Sequence, residues 1–153
     1  MPLGKFLDEM RRTFFLHAIS AHFSNGLIPV AVLYLLLTLP TGDAYFEHTV
    51  IDLLVIVFLA VPVSFFSGII DWKKKYKGVM TPVFSKKIRL GILLMVLATI
   101  AVSIRLLDQG VMAENGILHW AYIIILVAML PVVVLLGHYG GKLSAGQRSE
   151  KFR

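Results

Sequence analysis

Five histidines stand at or beside the apolar runs of this sequence, and they fall into two levels. His17 and His22 lead into the first run and His138 closes the last, whereas His48 and His119 lie at the opposite ends of the second and fourth. Ionisable groups at membrane depth are rare and usually functional. Two histidines from different helices at one depth are what a bis-histidine b-type haem requires. At the first level the expected ligand pair is His22 with His138, with His17 as the alternative. His17 is about 140° around a helix from His22, so both reach one iron only if the helix breaks, and a break is allowed before Ser20.

Glycine gathers at the same level. Gly26 lies one turn beyond His22, Gly68 and Gly91 near the ends of two further runs, and Gly137 beside His138, followed by Gly140 and Gly141. A porphyrin inserted between helices needs side-chain volume removed, so these positions suit a pocket, with Lys86, Lys87 and Arg89 placed to meet propionates. Glycine also suits close helix contact or a helix end. An interfacial histidine also suits a headgroup or carbonyl hydrogen bond. At the second level His48 and Asp52 share a helix face by i,i+4 spacing, and Arg105 lies at similar depth. A His48–Asp52–Arg105 cluster with His119 is expected there, serving a second haem, a proton path or structure alone. His119 and His138 are about 28 Å apart along one helix, which is wide for fast transfer between two haems.

The elements that position these residues follow from composition. The chain has 153 residues, 58% hydrophobic and 16% charged, with no cysteine, and a mean hydropathy of +0.81. Soluble domains are about 45–50% apolar and about 25% charged. That balance excludes a soluble enzyme, a disordered chain and a disulfide-stapled domain, and the lack of cysteine removes thiolate chemistry. Uncharged stretches of 30, 18, 15 and 27 residues lie between Arg12 and Asp43, Asp52 and Asp71, Arg89 and Arg105, and Glu114 and Lys142. A membrane helix needs roughly 20 mostly apolar residues. The third stretch suffices if Arg89 and Arg105 snorkel outward. The reading is an all-α integral membrane protein with helices near 19–39, 49–70, 88–107 and 118–138, since only helices or closed barrels satisfy backbone groups in lipid. Pro29, Pro62 and Pro131 fall inside three of them and predict kinks. Turn signals at Pro40-Thr41-Gly42-Asp43 and Asp108-Gln109-Gly110 keep two connections short, so the helices form an up-down bundle.

Charge sets the expected orientation. Of the 15 Lys and Arg residues, 14 fall in the N-terminal segment, the middle connection and the tail, and only Arg105 lies opposite, among Asp43, Glu47, Asp108 and Glu114. The positive-inside rule then predicts both termini in the cytoplasm. A net charge of +6 reads as a topology and headgroup feature rather than a nucleic-acid footprint. The expected layout is an amphipathic segment over 1–18, the membrane domain over 19–141 and a basic tail over 142–153. The mixed charges and long apolar run at the start argue against a cleavable signal. Trp120, Tyr122, Tyr45 and Phe46 at one face and Trp72, Tyr76 and Tyr139 at the other read as aromatic belts. No phosphate loop, His-Glu-x-x-His motif or Ser-His-Asp set occurs, so no catalytic residue is assigned.

Three patterns carry a family resemblance: His17-Ala-Ile-Ser-Ala-His22-Phe23 leading into the first span, Ser67-Gly68-Ile69-Ile70-Asp71-Trp72 closing the second, and Gly137-His138-Tyr139-Gly140-Gly141-Lys142-Leu143 closing the fourth. Together, over roughly residues 15–145, they resemble the bacterial four-helix membrane proteins grouped as domain of unknown function 2231. Members look like His-Pro-x-x-x-His-Phe-Pro near the start, Gly-x-x-Asp late in helix two and Gly-Gly after helix four. Ala18 and Ser24 depart from the two prolines. The resemblance implies the four-helix fold and a bacterial inner membrane location, and it implies no activity.

The leading functional expectation is a small b-type cytochrome-like electron carrier, alone or as a subunit of a larger respiratory or redox complex, exchanging electrons with a membrane quinone. The alternatives are a non-catalytic subunit or assembly factor, whose Lys73–Lys77 run docks an acidic partner or anionic lipid, and a proton or ion pathway through Asp52, Arg105 and the histidines. Lipid is the expected surrounding, and an oligomer is compatible with the sequence.

Overall fold

A computed structural model describes residues 16–113 and 115–151. Most of the expected amphipathic segment over 1–18, residues 1–15, lies outside them. Four helices follow one another: α1 Leu16–Thr41, α2 Ala44–Tyr76, α3 Pro82–Leu107 and α4 Ile117–Lys151. Each is long and apolar enough to cross a membrane. Each packs on its neighbours in sequence, and α1 meets α4 to close the ring, while the diagonal backbones stay apart among the described residues. The fold is the up-down bundle that short connections enforce. Large apolar side chains such as Leu33, Leu59, Phe66, Leu93, Ile124 and Val134 stay exposed around the bundle. An outer wall of that kind is stable only against lipid, which makes the chain a multi-pass membrane protein.

The helices run further than the uncharged stretches suggested. Between α1 and α2 only Gly42 and Asp43 lie outside a helix. Gly42 takes a positive φ of 62°, which glycine adopts without steric cost. Its N–H donates to the Thr38 carbonyl at 2.8 Å, ending α1. Asp43 then caps α2, its carboxylate accepting from the Tyr45 N–H at 2.9 Å. α2 passes the expected end near 70 and stops at Lys77 and Gly78, both with positive φ. Its 33 residues span about 50 Å, so the Lys73–Lys75 turn stands clear of a 30 Å hydrocarbon layer. Thr81 caps α3 and Pro82 occupies its first turn, a favoured place for proline. This early start brings Phe84 and Lys87 into α3. The expected kink sites Pro29, Pro62 and Pro131 lie within continuous helices. The basic tail continues α4 as far as Lys151.

Packing divides the bundle into two ends. One end carries the middle connection 77–81 with the lysines that flank it, the start of α1 and the end of α4, and is here termed the basic end. Toward the opposite, acidic end and through the middle the core is continuous, built from Ile28, Leu35, Val50, Leu54, Val57, Leu94, Ala98, Tyr122, Leu126 and Met129 among others. Toward the basic end the same inward stripes change to His17, Ala21 and Ser24 on α1, Ser64 and Gly68 on α2, Lys87 and Gly91 on α3, and Gly137, Gly140 and Gly141 on α4. Side-chain volume falls along the seam, and the core opens into a cavity.

Candidate functional site

The cavity has a volume of about 420 Å³ and is lined by all four helices. Ligand sites typically run about 300–1,000 Å³, with apolar walls and a few placed polar groups. Buried Val61 and Leu94 form its floor. Phe65, Ile69, Ile88 and Leu136 supply apolar wall, and Ser24, Asn25, His17 and Lys87 supply polar atoms. Exposed His22 and Lys75 stand at the mouth. Trp72, Tyr76 and Phe84 form an aromatic cluster in its lining, with the Tyr76 and Phe84 rings edge-on at 4.7 Å and the Trp72 indole N–H donating to the Val79 carbonyl at 2.9 Å. That bond ties the connection 77–81 to α2.

His17 is the histidine set into the wall. Its Nδ1 lies 2.8 Å from the Ser64 carbonyl oxygen across the α1–α2 interface. A carbonyl only accepts, so Nδ1 carries a proton, and neutral His17 keeps its lone pair on Nε2. The ring packs against Gly68 with its Cε1 and Nδ1 atoms closest. A Cβ there would stand 2.8 Å from His17 Cε1 and 2.9 Å from Nδ1, so any larger residue would displace the imidazole. The charges acting on this ring belong to Lys87, Asp71 and Lys75. Gly91 plays the matching part for Phe65, whose Cδ2 would stand 2.8 Å from an added Cβ. Gly68 and Gly91 thus seat rings in the cavity wall, whereas Gly137 and Gly141 face space that no atom fills within 4 Å of an added Cβ.

The remaining expected ligands are placed differently. His22 is exposed, at the cavity mouth, and α1 is continuous from Leu16, so no break turns His17 and His22 toward one point. His138 is exposed and stacked edge-on against Tyr139 at 5.4 Å, and it is outside the cavity lining. The pair does not face across the cavity. Gly26 is exposed with nothing within 4 Å of an added Cβ, so it opens no room in the bundle. Arg89 is exposed and also outside the lining, while Lys87, two residues earlier, points inward. Half a helical turn separates those two faces. Among the described residues, no group of three His, Asp or Glu side chains converges to hold a metal ion.

At the acidic end the polar cluster forms around Arg105, with a different carboxylate. Arg105 pairs with Glu47 of α2 and donates to the Gln109 carbonyl. Glu47 continues the buried stripe Val50, Leu54, Val57 and Val61, whereas His48 and Asp52 are exposed on another face. The expected His48–Asp52–Arg105 grouping is therefore replaced by Glu47–Arg105, because a one-residue step turns a side chain about 100°. Arg105 is 8% exposed, and its Nε has no hydrogen-bond partner. His119 is 6% exposed, with its Nδ1 2.9 Å from the Val111 carbonyl. Arg105 and His119 thus hold the α3–α4 connection from both sides, with the Val111 side chain buried beneath it. His48 and His119 do not share a site.

Fold and cavity define a four-span membrane protein with a ligand-sized chamber at its basic end. No protein-family model, curated protein or solved structure matches the chain. The family resemblance rests on its three motifs alone.

Proposed function

We propose that the chain is a small membrane electron carrier whose basic-end cavity would take a b-type haem, with His17 as the residue that would hold its iron. The observation that carries this reading is the fixed His17 ring. Histidines that bind metal commonly donate their other ring N–H to a carbonyl, which sets the tautomer and the ring plane. His17 has that arrangement through Ser64, in the wall of a chamber whose lining includes glycines from each of the other three helices. Of the residues present, His17 is the one imidazole oriented to hold such a group. A second imidazole is not set into the wall, and His22 is the one other histidine among the lining residues. A haem bound there would supply a one-electron couple, with a membrane quinone as the exchange partner. The chain's own contribution is to orient the imidazole, exclude water with apolar walls and place cations at the mouth. The charge distribution supports a bacterial inner membrane setting with both termini in the cytoplasm. A reduced-minus-oxidised spectrum of protein purified from haem-replete cells tests this reading. Haem bands lost in His17→Ala are expected; a colourless wild-type protein overturns it.

A second reading has its own support. His22, His48, Asp52 and His138 are all exposed on the flanks of membrane helices. Polar groups in membrane helices usually face protein or water, so these flanks suit contact with other subunits of a redox complex. The chain then acts as a non-catalytic subunit or assembly factor. Purification in mild detergent distinguishes the two, since stoichiometric partners without a chromophore favour the second.

A further inference from the structure

We infer that the occupant of the basic-end cavity is an acid-headed amphiphile whose carboxylate or phosphate pairs with Lys87 inside the mouth. This rests on the cavity being a binding site and does not require iron. Lys87 is half-buried in the cavity wall. The cost of drawing an ammonium group even partly out of water is offset best when an opposite charge meets it. Among the described residues the ion pairs are Asp71 with Lys75 and Glu47 with Arg105, and none reaches Lys87. The space before the amine is cleared by glycine: a Cβ on Gly140 would lie 3.9 Å from Lys87 Nζ, and Gly141 on the same wall meets nothing. Behind this cation the chamber turns apolar through Phe65, Ile88 and Leu94. A charge-complementary head at the mouth with a hydrocarbon or ring body behind it satisfies both halves. Haem propionates and acidic bilayer lipids share that chemistry.

The test compares each acid with a neutral counterpart on the purified full-length chain. Native mass spectrometry reads oleate against oleyl alcohol, and absorbance reads haemin against its dimethyl ester. A hydrogen bond to a charged group predicts an acid preference of about tenfold to a hundredfold. The preference should vanish in Lys87→Met, persist in Lys87→Arg and remain in Arg89→Met, which alters an exposed cation outside the cavity. Preference in the oleate pair alone removes the haem reading and supports the inference with lipid as the source. Preference in the haemin pair alone supports both. Equal binding of acid and neutral probes by the wild type, no binding of any probe, or an undiminished preference in Lys87→Met overturns it. The wild-type comparison stands even if a variant fails to fold.

Discussion

Replacing Gly68 with alanine tests how the cavity holds its imidazole. The new Cβ would stand 2.8 Å from His17 Cε1, against about 3.4 Å for an ordinary contact. The ring must therefore retreat by about 0.6 Å, away from the helix that also carries its Ser64 partner. The 2.8 Å bond to that carbonyl then stretches toward 3.4 Å and is largely lost, costing about 1 kcal/mol. Alanine in place of a helical glycine returns about 1 kcal/mol. The two effects offset, so thermal stability should change by less than about 1 kcal/mol while the imidazole loses its fixed tautomer. Nitrogen-15 NMR of histidine-labelled protein reads this directly. In haem-free protein, wild-type His17 should show a protonated Nδ1 and a bare Nε2, and Gly68→Ala should show a mixture of tautomers. Gly26→Ala, at an open and exposed site, should leave the His17 signals unchanged. An unaltered His17 spectrum in Gly68→Ala would refute the argument that this glycine and this carbonyl fix the ring.

Glu47→Gln should destabilise the bundle by about 3 kcal/mol, because it leaves the buried Arg105 guanidinium without its carboxylate, whereas Asp52→Asn should stay within about 0.5 kcal/mol; unfolding midpoints in one detergent compare them. His119→Phe should cost about 1–3 kcal/mol by leaving the Val111 carbonyl unpaired, and hydrogen exchange at residues 109–113 should rise in the same variant. Reporter fusions at both termini and in the connection 77–81 should all read the cytoplasmic side, and a fusion in 108–116 the other; a mixed pattern contradicts the proposed orientation.

The four spans were legible because charge is excluded from hydrocarbon, so the gaps between charged residues mark them. Their full lengths were not, since Lys73 to Lys75 read as a connection until Lys77 and Gly78 show where the backbone turns left-handed. Rotation of each helix about its axis was the harder quantity. A helix that is apolar all round carries no polar face to set its phase. The sequence therefore offers Asp52 as the partner of Arg105 where the structure places Glu47, and offers His138 as a cavity residue where Gly137 alone of the two lines the cavity. The phase of α2 is visible only once Val50, Leu54, Val57 and Val61 are known to be buried. The glycines told more where they receive a ring, at Gly68 and Gly91, than at Gly26, which faces outward. Lys87 was legible as a cation near the pocket, but its separation from every described carboxylate required the packed structure.

The central claim is that the basic-end cavity is a haem site built on His17. The most direct measurement is the visible spectrum, oxidised and dithionite-reduced, of wild-type, His17→Ala, His22→Ala, His138→Ala and His48→Ala proteins purified from haem-replete cells. Wild type should show Soret and alpha bands, His17→Ala should lose them, and His48→Ala and His138→Ala should keep them, with His22→Ala reporting whether the mouth supplies a second ligand. Bands that survive His17→Ala and vanish in His138→Ala, or a wild-type protein without haem bands, would contradict the account.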